Sequence, residues 1–401
     1  MRILHTADWH LGKRLDFCLR LDEQKAVLKE VIRIADEQAV DMVIIAGDLF
    51  DTFNPPIEAI ELLYSTVNKL AKGGKVPVIA IAGNHDSAER INVPDVFART
   101  NGVIFIGNPM EIVPAFSIDD GFSVVNADAG YIEIQLPQCD YPVRIVHTAF
   151  ANELRLKEYF GVDKQASLQQ SLSEKWQYLA DKYCDNTGVN ILTTHIFMQK
   201  RNGEKLEETD GEKPLNIGNA DLVYSDAIPT AIQYAALGHL HGYHDVGVHQ
   251  PVIYSSSPLC YSFAEAGQQK YVVIIEAEPG KPVKINKIPL HAGKKLERKT
   301  FHSVIDAVNW LSTNQDCLVE LTMETEAYLS PADQKQLYDT HRGIIYLIPK
   351  VKNTGTDTTV KTEIDLNRDM QELFVDFFKS KKDGQMPNQE ILDLYNEIIH
   401  S

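Results

Sequence analysis

Ile44-Ile45-Ala46-Gly47-Asp48-Leu49-Phe50-Asp51 is the stretch on which the reading of the fold turns. The apolar run 42–46 reads as a buried strand, and a glycine and a carboxylate follow where such a strand would leave its sheet. Gly47 allows a sharp turn and close approach to a ligand. Asp48 then projects from a rigid strand end, a position suited to a metal ion or a phosphate.

Working outward, residues 3–7 form a short β-like run ending in Asp8-Trp9-His10-Leu11-Gly12. Residues 22–38 carry apolar positions at helical spacing, with Asp22 as a candidate cap. Pro55-Pro56 opens a second helix to about Lys72, closed by Gly73-Gly74. Residues 76–82 form a third strand, ending in Gly83-Asn84-His85-Asp86. This β-α-β-α-β order predicts a parallel sheet with its loops along one edge. Shorter strands are expected at 103–106, 123–125, 131–136 and 144–147, and a polar helix at 165–184. A further strand at 189–193 runs to His195, and one at 234–237 runs to Gly238-His239-Leu240-His241. Residues 252–254 and 270–275 read as paired closing strands.

Five motifs thus sit just past five strand-like runs. They offer Asp8, His10, Asp48, Asn84, His195, His239 and His241 as ligands. Imidazole combined with carboxylate and amide oxygen suits manganese, iron or zinc. Seven ligands exceed one ion but fit two, roughly 3.5–4 Å apart and bridged by a carboxylate. Asp48 is the natural bridge. Asp8, His10, Asp48 and His241 are assigned to one metal, and Asp48, Asn84, His195 and His239 to the other. Side-chain alternation past a strand end would let Asp8 act with His10, and His239 with His241. His85 is left over to protonate a leaving oxygen or stabilise phosphoryl charge, with Asp86 as its orienting partner. Each motif alone is more often a turn or a satisfied core pair. The ordered set of five is not expected by chance. The remaining histidines are taken as structural or surface residues.

The set resembles the calcineurin-like metallophosphoesterases. The wording of 1–12, 46–51, 82–87 and 254–263 is similar to their DNA-repair nuclease subunits, over about residues 1–275. The resemblance implies a four-layer α/β/β/α core (1–278), a small α+β DNA-capping domain (279–352) and a linker with C-terminal helices (353–401). It implies a manganese-dependent DNA exonuclease and endonuclease, a homodimer within a heterotetramer. The C-terminal helices, with Phe374, Phe377 and Phe378 on one face, would dock on an ATPase partner. It also implies that His85 acts in the transition state. Where some members carry a second histidine this chain has Asp51, and where a glycine often precedes the Ser-Pro pair it has Ser256.

Composition limits the alternatives. With 401 residues, two or three domains are expected. A formal net charge of −17 counts against non-specific nucleic-acid binding by the isolated chain, so metal ions or a partner must supply positive charge. Arg14, Arg20, Arg90, Arg99 and Arg155 flank the motifs but read as ordinary surface residues, and 199–213 reads as a solvated flap. Five scattered cysteines argue against disulfides and cysteine zinc sites. No stretch is long and apolar enough to span a bilayer, and the N-terminus runs directly into a motif, so a cytoplasmic protein is expected. Two competing functions use the same core: a phosphatase for small metabolites or phosphoproteins, and a non-catalytic assembly protein. The C-terminal helices weigh against the first, and the complete ligand set with His85 against the second.

Overall fold

The computed structural model describes residues 1–161, 164–206 and 222–351, together with 373–375, 378, 387 and 392. The chain divides into two units, Met1–Lys350 and Val351–Ser401.

Two sheets face one another in the first unit. The six-stranded sheet runs in the order Lys284–Pro289, Tyr271–Glu276, Arg2–Thr6, Met42–Ala46, Val78–Ile81, Val103–Ile106. Its last four strands are parallel, as the β-α-β-α-β order requires. Every residue of Met42–Ala46 is buried. Sheet packs on one side of it and helix on the other, so the strand reads as a continuous apolar run without alternation. Helices Leu21–Glu37 and Ile57–Ala71 cover the outer face through Val27, Val31, Ile34, Leu63 and Val67. Arg20, not Asp22, occupies the first cap, and Asp22 lies inside the first turn. The second helix ends on Lys72 in the left-handed conformation, one residue before the expected glycines.

The eight-stranded sheet runs Tyr243–Asp245, Val252–Ser255, Tyr234–Gly238, Val189–His195, Val143–Thr148, Tyr131–Gln135, Ser123–Asp128, Phe116–Ser117. Leu168, Leu172, Trp176 and Leu179 of helix Lys164–Tyr183 pack on its outer face against Val146, Leu192 and Leu237. The layers are therefore helix, sheet, sheet, helix. Val252–Ser255 and Tyr271–Glu276 do not pair with each other. The former pairs with Tyr234–Gly238 and the latter antiparallel with Arg2–Thr6, so they close different sheets. Lys284–Pro289, which a core ending at 278 would assign to the next domain, pairs with Tyr271–Glu276 as an edge strand of the core.

Beyond it, Lys295–Phe301, Cys317–Thr325 and Ile344–Val351 form a three-stranded sheet with helices Val304–Thr313 and Pro331–Thr340. Ala307, Leu311, Val319, Leu321, Met323 and Leu337 make its core. Lys295–Phe301 escapes the sequence reading because its one fully buried side chain, Leu296, sits among lysines, an arginine and a glutamate. Leu296, Leu318 and Ile345 pack against Leu15 and Phe263 of the larger core. Of the expected C-terminal helices, Leu373, Phe374, Val375, Phe378 and Leu392 are helical, with the Phe374 and Phe378 ring centroids 6.2 Å apart. Phe377 and most of 353–401 lie outside the described residues, as do 207–213 of the expected flap.

Candidate metal centre

All seven sequence-predicted ligands lie at or just past strand ends, and all are buried. Their convergence rests on a different backbone from the one expected. The strand Arg2–Thr6 stops before the motif, and Asp8, His10 and Asp48 adopt left-handed φ of 55°, 43° and 48°. His239 is at 106°. Such conformations cost of order 1–3 kcal/mol and cluster at functional sites. They are held by neighbouring loops that continue the ladder past the sheet. Asp8 N donates to Gly47 O (3.0 Å), His10 N to Asp48 O (2.9 Å) and Leu11 N to Leu49 O (3.0 Å).

Three motif glycines mark how tightly these loops pack. A Cβ on Gly47 would lie 2.2 Å from His195 Nδ1, one on Gly83 2.1 Å from Asp48 Oδ1, and one on Gly238 1.8 Å from Ala46 O. Gly47 is therefore required by the His195 ring as well as by its φ of 92°.

The donor atoms form two groups. In the first, His10 Nε2 and His241 Nε2 are 3.0 Å apart, and His10 Nε2 lies 3.5 Å from Asp48 Oδ2. Asp8, His10 and Asp48 each offer a ligand atom within 4.8 Å of the others. In the second, His195 Nε2 is 2.9 Å from Asn84 Oδ1 and 3.3 Å from Asp48 Oδ2. The His239 ring stands edge-on to His195, centroids 5.5 Å apart. Asp48 Oδ2 is common to both groups.

These contacts fit a cation. His195 Nδ1 donates to Ala46 O at 2.9 Å, so Nε2 faces two oxygen acceptors, Asn84 Oδ1 and Asp48 Oδ2, that it must meet through a proton or a cation. Asp8 Oδ1 accepts from His239 N (2.8 Å), while its buried Oδ2 has no hydrogen-bond partner among the described residues. Two nitrogens about 2.1 Å from one ion and at a right angle sit about 3 Å apart, the spacing of His10 and His241. The electrostatics agree. Burial pushes the Asp8 carboxyl up to about 7, although His195 and His241 oppose it. Burial would also raise Asp48, but the imidazoles of His195 and His10 hold it far below the usual carboxylate range. Burial would lower His195, yet the Asp48 carboxylate lifts it to about 9. A positive charge belongs between these groups.

His85 stands beside this cluster, its ring centroid 4.8 Å from that of His10. Its Nδ1 meets the Asp51 main-chain carbonyl at 2.8 Å, and its backbone N–H donates to Asp48 Oδ1 at 2.9 Å. Asp86 does not orient it. The Asp86 carboxylate accepts from Leu49 N, Phe50 N and Gly83 N at 2.8–3.0 Å and ties two motif loops together. Its pKa is pushed up to about 6 by burial and by Asp48. Arg155, read as a surface residue, is a second brace: it donates to Gly83 O (3.0 Å) and Asp86 O (2.7 Å). Arg20 is also buried, on Glu23 and Cys260 O.

Sequence reasoning missed Glu265 and Lys270. Glu265 Oε1 lies 3.2 Å from His241 Nδ1, and Lys270 Nζ is 2.5 Å from Glu265 Oε2. No motif spacing signals this, because the contact depends on how the loop after Val252–Ser255 folds back. Ser256 takes φ of 82°, a conformation suited to glycine. Its Oγ accepts from Tyr271 N (2.9 Å), which fixes the turn despite the side chain.

Comparison with known proteins agrees with this geometry. The chain matches the calcineurin-like phosphoesterase family over residues 1–243. It is 30% identical to the SbcD subunit of the nuclease SbcCD from Bacillus subtilis over 408 residues, covering 99% of this chain and 97% of that one. It is 32% identical to the protein of the same description from Staphylococcus epidermidis over 303 residues, covering 74% and 71%.

Proposed function

Starting from the fact that this chain belongs to the calcineurin-like phosphoesterases, and within them to the relatives of the SbcD nuclease, we propose that it is the two-metal DNA nuclease of an SbcCD-type complex. It is a phosphodiester hydrolase. The observation that carries the two-metal reading is Asp48 Oδ2, 3.5 Å from His10 Nε2 on one side and 3.3 Å from His195 Nε2 on the other.

Asp8, His10, Asp48 and His241 would hold one ion, and Asp48, Asn84, His195 and His239 the other. Manganese suits a donor set of imidazole, carboxylate and amide oxygen. When bound, such a pair supplies Lewis acidity at the phosphoryl oxygens and acidifies water for attack. The chain's own residues do the rest. The left-handed loops fix the ligands before substrate arrives. His85 Nδ1–H donates to the Asp51 carbonyl, which fixes the ring and leaves Nε2 to hold the proton for the departing sugar oxygen. Asp86 and Arg155 keep the loop of Asn84 and His85 against that of Asp48.

The domain reading is a core to about residue 290, the three-stranded capping unit after it, and residues 353–401 docking an SbcC-type ATPase. Val93, Val96 and Phe97, 72–83% exposed on adjoining helical turns, support a homodimer face. Five free cysteines support a reducing, cytoplasmic setting. Among the described residues no helix is long and apolar enough to cross a membrane.

The test is a DNA-cleavage assay on protein of known metal content, with and without the ATPase partner. Two manganese ions per active chain, and loss of both the second ion and cleavage in Asp48→Asn, are expected. One ion or none in active protein, or unchanged cleavage by Asp48→Asn, overturns the reading.

A further inference from the structure

The two imidazoles that meet at the first metal position each have a carboxylate behind them, within hydrogen-bond reach for His241 and at ion-pair distance for His10. Behind His10, Nδ1 lies 3.5 Å from Asp51 Oδ1, which pairs with Lys13 Nζ at 3.0 Å. Behind His241, Nδ1 lies 3.2 Å from Glu265 Oε1, and Glu265 Oε2 pairs with Lys270 Nζ at 2.5 Å. Each imidazole is thus followed by a carboxylate and each carboxylate by a lysine. The second position differs. His195 Nδ1 donates to the main-chain carbonyl of Ala46 at 2.9 Å, and Asp8 Oδ1 stands beyond hydrogen-bond distance at 3.7 Å.

The Glu265 arrangement is a built one. Its Oε1 also accepts from Tyr261 N and Ser262 N, both at 3.1 Å. Lys270 Nζ donates in addition to His241 O at 2.8 Å, so both the ring and the main chain of His241 are held. Glu265 and Lys270 are both buried. Asp51 is partly exposed and serves two imidazoles, His10 through its carboxylate and His85 through its carbonyl.

A carboxylate behind a ligating imidazole fixes the ring with its lone pair on Nε2 and raises its basicity. Behind His241 the ionised Glu265 makes a bond roughly twice as strong as one to a neutral carbonyl, and behind His10 the Asp51 carboxylate acts by its charge across 3.5 Å. Each lysine fixes its carboxylate and balances its charge. Resting on the two-metal reading above, we propose that Asp51 and Glu265 are positioning residues that make the His10–His241 position the tighter of the two. The His195 position is the exchangeable one.

The test titrates Mn(II) into metal-free, full-length protein by calorimetry, with electron paramagnetic resonance of the bound ion. The parent is expected to bind in two separable steps. Glu265→Gln and Asp51→Asn should each weaken the tighter step roughly 10- to 100-fold and leave the looser step unchanged. The metal-free melting temperature of Asp51→Asn should match the parent, which separates positioning from a general loss of structure. If Glu265→Gln does not fold, Asp51→Asn decides. Two steps in the parent with the tighter one unmoved in Asp51→Asn, or a variant that weakens only the looser step, overturns this inference alone. Fewer than two Mn(II) in the parent overturns the two-metal reading itself.

Discussion

Replacing Gly238 by alanine should force apart the two sheets where the site is built. Gly238 has no left-handed backbone, so alanine brings no conformational penalty of its own. The cost is steric. The new methyl would stand 1.8 Å from Ala46 O and 2.8 Å from His195 Nδ1, and the first of these is main chain that cannot rotate away. Restoring an ordinary contact moves one strand by more than about 1 Å, and overpacking of this kind costs about 1–3 kcal/mol. Ala46 O also accepts from His195 Nδ1, and losing that bond adds about 1 kcal/mol. The sum, about 2–4 kcal/mol, is less than the roughly 5–15 kcal/mol of a typical domain, so the variant should fold. A displacement of about 1 Å among ligands should lower cleavage about 100-fold. Urea unfolding in chelator measures the first effect, and cleavage of an end-labelled DNA in excess Mn(II) the second. Stability within about 0.5 kcal/mol of the parent, the ordinary scatter of a neutral substitution, together with parental cleavage would refute the claim that the sheets are pinned at this corner.

His85→Gln should retain both metal-binding steps and lose cleavage by about 10²- to 10⁴-fold, because it removes the proton donor and no ligand. Unchanged cleavage in that variant removes His85 from the mechanism. His147 is wholly buried, neither ring nitrogen has a hydrogen-bond partner among the described residues, and burial pushes its pKa down to about 3. Its folded value lies below the ordinary 6.5, so its contribution is intact above pH 6.5 and is lost as pH falls toward 3. His147→Leu should therefore reduce the fall of unfolding free energy between about pH 6 and 4 by about 1.4 kcal/mol per pH unit. Parallel pH curves for parent and variant would contradict this.

The catalytic edge is legible in the sequence because each ligand follows a recognisable apolar run. Met42–Ala46 and Val189–His195 announce where Asp48 and His195 must emerge. The tertiary complement is not legible. The left-handed backbone at Asp8, His10 and Asp48 is imposed by neighbouring loops, since nothing in those side chains demands it. Asp86 lies next to His85 in the chain yet spends its carboxylate on backbone amides of another loop. Glu265 serves a histidine 24 positions earlier, a distance at which no local pattern survives. The two closing strands read as partners because both are short and apolar, and only register shows that they belong to opposite sheets.

The strand Arg2–Thr6 has Met42–Ala46 on one flank and Tyr271–Glu276 on the other, with Arg2 opposite Glu276. During synthesis at about 5–20 residues per second, that second flank stays bare for roughly 14–55 s while the intervening chain leaves the ribosome. Glu265 and Lys270, which hold His241, also emerge only just before Tyr271–Glu276, so the newborn enzyme has no complete site for most of its translation. A chaperone that shields an unpaired apolar edge would act in that interval.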